Sequence, residues 1–269
     1  MRKVSFKATT VSYALRNKVD AELSRLEESR IIESVKFSEW AAPIVPVLKS
    51  DGTVRICGDY KVTVNTVAKP DVYPLPRIED LFNKVAGGKT FTRLDLTHAY
   101  QQLKLTEESK DLTTINTSKG LFRYTPLPFG VSAAAAIFQR MIDCLLQDIP
   151  QVAAFRYDIL ITGGTDESHI HHLREVLRRL DSESFQLRSD KCEFMLPEVT
   201  YLGHRITADG FQPTKDKMKA VQEAPIPKNV PELMSFQGLV NFYGKFLPIL
   251  STVLSPLNNL LRKRVVFRC

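Results

Sequence analysis

The 269-residue sequence predicts an α+β fold, and three observations carry that prediction. Short apolar runs face one another across turn signals such as Ser50-Asp51-Gly52 and Lys119-Gly120, the pattern of β-hairpins. Amphipathic stretches of helical period lie between those hairpins. From Thr214 onward the pattern is helical, broken at Pro225-Ile226-Pro227.

In chain order, residues 13–30 form the first amphipathic helix, with Leu15, Val19, Leu23 and Leu26 at intervals of three and four. Trp40 to Lys49 is extended and too rich in proline for a helix; Val54-Arg55-Ile56-Cys57 returns beside it. Lys49 and Arg55 flank this hairpin's tip, either as the solvated cations of an edge strand or as a phosphate clamp. Pro70 to Pro76 is a loop into a short helix, Ile78 to Val85. Gly88-Lys89-Thr90 imitates a phosphate-binding loop but fails it, because Asn83 stands where the first glycine belongs and a strand follows.

Leu112 to Thr117 and Leu121 to Tyr124 read as a strand pair. Leu127-Pro128-Phe129-Gly130 then turns into a helix with Ser132 as N-cap and Ile137, Phe138, Met141, Ile142, Leu145 and Leu146 inside. Val152 to Phe155 and Ile159 to Ile161 make a hairpin with an acidic tip. Asp166 and Ser168 open another helix, with Leu173, Val176, Leu177 and Leu180 inside. His169, His171 and His172 read as its solvated start, since no carboxylate or cysteine motif accompanies them. Tyr201 to Ile206 is a further hairpin element, and Val253 to Leu261 the last helix.

Composition bounds the function. At 43% hydrophobic and 25% charged, the chain is globular, and it holds no apolar run of the roughly eighteen residues a membrane span needs. Its N-terminus lacks a signal peptide's apolar core, so a cytoplasmic or nuclear, non-secreted protein is expected. Cys57, Cys144, Cys192 and Cys269 have no paired spacing, which argues against disulfides and zinc. A net charge of +7 permits a nucleic-acid partner without requiring one.

The chemistry centres on Phe91-Thr92-Arg93-Leu94-Asp95-Leu96-Thr97-His98-Ala99-Tyr100-Gln101-Gln102. Here one carboxylate, Asp95, ends an apolar strand and the pattern predicts a helix starting at once. Such a carboxylate is costly unless paired or metal-bound; the alternative is a helix cap. Asp158, at the hairpin tip, is its natural partner. Two carboxylates on adjacent strand ends suit two-metal phosphoryl transfer, and a glycine turn and basic hairpin beside them suit a triphosphate.

The chain resembles the reverse transcriptase domain of a Ty3/Gypsy-type LTR retrotransposon polyprotein from about Val11 to Lys263. The motifs that carry the resemblance are Trp40 to Val47, Arg55-Ile56-Cys57-Gly58-Asp59-Tyr60-Lys61, Tyr73-Pro74-Leu75-Pro76-Arg77 and Leu94-Asp95-Leu96. Leu127 to Val131, Ala136-Ile137-Phe138-Gln139, Tyr201-Leu202-Gly203-His204 and Asn241 to Phe246 complete them, in order.

The resemblance implies a polymerase right hand of fingers, palm and thumb, acting on deoxynucleoside triphosphates and an RNA or DNA template with primer. It implies Lys49 and Arg55 on the triphosphate, Asp95 and the Leu96 carbonyl on one of two Mg2+ ions, and Asp158 as a second carboxylate. Tyr100 would be the gate against a ribose 2′-hydroxyl, Phe129 and Gly130 the nucleotide pocket, and Tyr201, Leu202, Gly203 and His204 the primer grip. The implied division is 1–90 for the N-terminal helix and part of the fingers, 91–210 for the palm with a fingers segment at about 108–130, and 211–269 for the thumb and a truncated end. Ribonuclease H, protease and integrase domains are expected to be absent, and the oligomeric state stays open.

One departure changes the expectation. The family tip reads aromatic-any-Asp-Asp, whereas here Phe155-Arg156-Tyr157-Asp158 puts Tyr157 at the first Asp. A phenol with a pKa near ~10 supplies no charge at neutral pH, so impaired catalysis and weakened metal binding are expected, or a silent nucleic-acid-binding relic. Ala135 also replaces the proline usual before Ala136.

Overall fold

The computed structural model describes residues 4–68, 73–96, 99–242, 244 and 249–261. Elements run α1 Tyr13–Glu28, β1 Ile32–Val35, β2 Ala42–Leu48, β3 Val54–Gly58, α2 Val64–Val67, α3 Ile78–Lys84, β4 Thr90–Asp95, α4 Glu107–Leu112, β5 Ile115–Thr117 and β6 Gly120–Tyr124. Then come α5 Ala134–Leu146, β7 Val152–Phe155, β8 Asp158–Gly163, α6 Asp166–Ser182, β9 Glu193–Leu196, β10 Glu198–Tyr201, β11 His204–Thr207, β12 Gly210–Pro213, α7 Lys215–Gln222, α8 Val230–Phe242 and α9 Leu250–Leu260. The loop before Tyr73 in part, Thr97-His98, half of the Asn241–Phe246 motif and the basic tail from Arg262 lie outside the described residues.

Three sheets organise the fold. A five-stranded sheet has the order β1-β6-β5-β2-β3, a four-stranded sheet β7-β8-β4-β9, and a three-stranded sheet β10-β11-β12. In the first, β2 and β3 pair as the expected hairpin, and α1 buries Val19, Leu23 and Leu26 in its core. Lys18 Nζ also donates to the Gly52 carbonyl at the hairpin turn, 2.9 Å away.

The four-stranded sheet is covered on both faces, which is why β8 is apolar almost throughout. Leu94, Ile159 and Ile161 pack with Phe138, Ile142 and Val176 from α5 and α6. Phe91, Ala153 and Leu160 pack on the other face with Leu81 and Phe82 of α3 and with Tyr201. By the two-residue period of a strand, Asp95 and Asp158 belong to this second face.

Several sequence expectations are corrected. Among the described residues after Asp95, Ala99–Gln102 form a 3-10 turn in place of the expected α-helix. Leu112 ends α4, capped at its start by Thr106, so the strand begins only at Ile115. Helix α5 starts after Ala133 with no side-chain cap; Ser132 instead donates its backbone N–H to Asn65 Oδ1 at 2.9 Å. Strand β1 was not anticipated at all.

The histidines are the largest correction. His169 and His172 are buried on the sheet, not solvated. His169 makes 2.9 Å bonds with the Thr90 and Thr92 hydroxyls, and His172 Nδ1 bonds the Thr162 carbonyl at 2.8 Å. Burial pushes the His169 imidazole below its ordinary pKa, against an opposing pull from Asp166. The cause is Gly163: a Cβ there would lie 2.4 Å from His169 N, so the missing side chain lets α6 press its first turn onto β8.

Candidate active site

Two carboxylates meet at the end of the four-stranded sheet. Asp95 of β4 stands directly opposite Asp158 of β8 in the antiparallel register. Leu96 N donates to the Tyr157 carbonyl at 2.9 Å, which makes 96/157 the hydrogen-bonded pair. Asp95 and Asp158 are therefore the narrow pair, with α-carbons about 4.5 Å apart and side chains side by side. Like charges so placed repel. Burial, first, and the Asp95 charge raise the Asp158 pKa; Arg93 and Lys191 oppose the rise.

The turn between β7 and β8 holds just Arg156 and Tyr157. Arg156 has φ 55°, the left-handed region that costs a residue with a Cβ about 1 kcal/mol. It is held there by Gln139 of α5, wholly buried, whose Oε1 accepts the Arg156 N–H at 2.7 Å and whose Nε2 donates to the Ala154 carbonyl at 3.0 Å. Tyr157 is 42% exposed at the tip. Sequence reasoning assigned Gln139 no role. The available signal was a polar side chain beside Phe138 within an apolar helical stripe, which burial obliges to find partners.

An aromatic row leads away from the carboxylates. Tyr100 packs on Phe138 and on Phe129, with ring centroids 5.5 and 5.4 Å apart, and the Arg55 guanidinium lies 5.4 Å from the Phe129 centroid. Burial is the main cause that raises the Tyr100 pKa. Lys49 and Arg55 line a small cavity of about 60 Å³ together with Gln101 and Phe129. Gly130, at φ 98°, could not carry a Cβ without approaching the Gly58 carbonyl to 3.0 Å. Lys49, Arg55, Tyr100, Phe129 and Gly130 thus fall in one region, on the α5 side of the tip.

The residues matched to the primer grip divide. Tyr201 and His204 are buried, and the Tyr201 hydroxyl donates to the Ala153 and Asp158 carbonyls at 3.3 Å. Only the turn residues Leu202 and Gly203 reach the surface. Tyr201 therefore supports the carboxylate hairpin from below, and of the four residues Leu202 and Gly203 are the accessible ones. Arg93, missed in the sequence, lies on the carboxylate face, with Nε 3.3 Å from Glu193 Oε2 and an N–H donated to the Thr200 carbonyl at 2.8 Å.

Among the described residues no group of three or more His, Cys, Asp or Glu side chains could hold a metal ion, and no helix is long and apolar enough to cross a membrane. Asp95 and Asp158 supply the hard oxygen donors that a divalent cation such as Mg2+ takes.

The four-stranded sheet thus carries α5 and α6 on one face, α3 and Tyr201 on the other, and a carboxylate pair at its end. Residues 47–206 match the family Reverse transcriptase (RNA-dependent DNA polymerase), and the chain belongs to that family. It is 37% identical over 246 residues to the Transposon Tf2-3 polyprotein of Schizosaccharomyces pombe and 36% identical to the Tf2-7 polyprotein. Each alignment covers 91% of this chain and 18% of the polyprotein, so the chain spans under a fifth of these relatives. They bear out the resemblance to the reverse transcriptase domain of a Ty3/Gypsy-type polyprotein. A foamy viral protease-reverse transcriptase solved with double-stranded DNA superposes with a TM-score of 0.82 at 24% identity, over 96% of this chain and 45% of that one. The same protein with an RNA/DNA hybrid gives 0.78, over 97% and 35%. The fold is the α+β polymerase right hand.

Proposed function

We propose that this chain is an RNA-directed DNA polymerase domain that extends a primed RNA or DNA template with deoxynucleoside triphosphates, and that it is strongly impaired as it stands. The observation that carries the reading is the Asp95–Asp158 pair with Tyr157, not a carboxylate, at the exposed tip. Mg2+, held by Asp95, Asp158 and the Leu96 carbonyl, would polarise the reacting phosphate; a second ion lacks its carboxylate. In this reading Lys49 and Arg55 bind the triphosphate, Phe129 and Gly130 shape the nucleotide pocket, and Tyr100 bars the 2′-hydroxyl. The five-stranded sheet serves as fingers, the four-stranded sheet as palm and the helices after Thr214 as thumb, in a cytoplasmic or nuclear protein.

Loss of one charged metal ligand removes roughly 4–6 kcal/mol of transition-state stabilisation, about a thousandfold or more in rate. The second reading, a silent nucleic-acid-binding relic, is favoured by the same Tyr157 and by the +7 charge. Primer extension with magnesium separates the two. Tyr157→Asp should gain at least about a hundredfold over a very low basal rate, and Asp95→Asn should abolish the gain. Robust synthesis by the unaltered chain would refute the impairment. A silent Tyr157→Asp protein that still binds primed duplex, more weakly as salt rises, would favour the relic.

A further inference from the structure

We propose that Asp143 and Tyr73 are positioning residues that hold the carboxylate hairpin in place through Gln139. The observation is a continuous polar chain. The Tyr73 hydroxyl donates to Asp143 Oδ2 at 2.7 Å, and Gln139 Nε2 donates to Asp143 Oδ1 at 2.9 Å. Gln139 Oε1 then accepts the Arg156 N–H at the turn that carries Tyr157 and Asp158.

Gln139 and Asp143 stand one helical turn apart on the same face of α5, which sets their spacing. The Gln139 amide has two N–H groups and one carbonyl oxygen, and the chain uses all of them: Asp143 and the Ala154 carbonyl take the donors, Arg156 supplies the donor to the oxygen. Flipping the amide would set its NH2 against the Arg156 N–H, donor against donor. The ionised Asp143 accepts only, so it fixes which way the amide points, and charge-assisted bonds do this more firmly than neutral ones. Tyr73 holds the second oxygen of Asp143 and so fixes the carboxylate in turn.

The hydrogen bond to Asp143, with desolvation and the Asp143 charge adding to it, pushes the Tyr73 phenol up to about 12, so it remains a donor at every physiological pH. The chain ends where precision matters, since Arg156 has a strained φ and Asp158 two residues on must face Asp95. Tyr73 opens the Tyr73-Pro74-Leu75-Pro76 motif, which the polymerase reading left without a task. The proposal rests on that reading only for what the hairpin does, not for how it is held.

The test has two arms. Amide hydrogen exchange of the protein as it stands reads the brace directly, at Arg156, with Thr162, which donates to the Gln151 carbonyl at the far end of the hairpin, as control. Asp143→Ala should speed Arg156 exchange at least about tenfold and leave Thr162 unchanged. Tyr73→Phe should have a smaller effect of the same sign. Asp143→Asn should stay close to the unaltered protein, because its oxygen still accepts from Gln139 and its amide can donate to the Tyr73 hydroxyl. In the Tyr157→Asp background, Asp143→Ala should lower kcat at least about tenfold, with nucleotide KM and primer affinity within about threefold. If Tyr157→Asp is silent, the polymerase reading falls while the exchange arm still decides the brace. Unchanged Arg156 exchange in Asp143→Ala, an equal rise at Thr162, or Asp143→Asn failing as badly as Asp143→Ala would each overturn the proposal.

Discussion

Two hairpins with two-residue turns lie against each other in this molecule, and they use their motif residues in opposite ways. In β7–β8 the matched positions, Tyr157 and Asp158, stand at or beside the tip, and Tyr157 reaches solvent. In β10–β11 the matched Tyr201 and His204 flank the turn and are buried, while Leu202 and Gly203 form it at φ 48° and 74°. Positive φ at both turn positions is the geometry that matches strand twist, and glycine supplies one of them without strain. The first hairpin has Arg156 in that region and needs Gln139 to hold it. One hairpin thus displays its chemistry and depends on others for its shape; the second shapes itself and supports its neighbour. A motif match alone does not separate these roles, whereas burial does.

The largest expected effect sets the two tyrosines apart. Tyr201→Ala removes a side chain 1% exposed from beneath the four-stranded sheet and should cost about 3–5 kcal/mol. Tyr157→Ala, at the open tip, should change stability by no more than about 0.5 kcal/mol. Urea unfolding midpoints of both variants measure this. Comparable losses at the two sites would erase the distinction between displayed and supporting residues.

How much was legible follows from the same distinction. The hairpins and the Asp95–Asp158 pairing could be read because they depend on local period, turn residues and register, whereas Tyr157 stood out only against the family motif. Strand β1 was not, since four residues with Ile32 alone fully buried give no period to detect. The buried His169 and His172 and the bracing Gln139 were also missed. Their burial depends on which helix face meets the sheet, and no helical or strand period reports that; it turns on packing such as the close approach of His169 to Gly163. Lys49, Arg55, Tyr100, Phe129 and Gly130 were named through family resemblance; the structure adds that Arg55, Phe129 and Tyr100 stack in a row.

A smaller effect sharpens the contrast between the turns themselves. Gly203→Ala puts a Cβ on a residue at φ 74°, at a cost of about 1 kcal/mol; the nearby Lys217 side-chain end can move aside. Arg156→Gly relieves similar strain, but glycine gives the unfolded chain more freedom, so the net change should stay within about 0.5 kcal/mol. Thermal unfolding of the pair decides it. If Gly203→Ala is neutral, the second turn does not depend on glycine and the claimed asymmetry between the hairpins is wrong.

The smallest expected effect is a pH dependence of opposite sign in the two hairpins. Asp158 has its pKa raised above the ordinary 3.8, chiefly by burial and further by Asp95 opposite, despite Arg93 and Lys191. A carboxyl with a raised folded pKa gives stability that is complete below its unfolded value and is lost as pH rises through the folded one. Glu198, on β10, is held below the ordinary 4.5 by hydrogen bonds from the Arg205 guanidinium on β11. Its contribution is present above the unfolded value and lost as pH falls through the folded one. Asp158→Asn should therefore gain on the unaltered protein as pH climbs from about 4 toward neutrality, where the buried charge is fully expressed. Glu198→Gln should lose to it at neutral pH, and the gap should close in acid below about 4.5. The Glu198–Arg205 pair is exposed and salt should shrink its effect, whereas the Asp158 effect, arising mainly from desolvation, should persist in salt. Unfolding midpoints of the three proteins from pH 3.5 to 7.5, at low and high salt, give both slopes. Parallel profiles for Asp158→Asn and the unaltered chain would mean that Asp158 is not strained by its position, and the carboxylate pair would then lack the electrostatic tension that makes it suited to a cation.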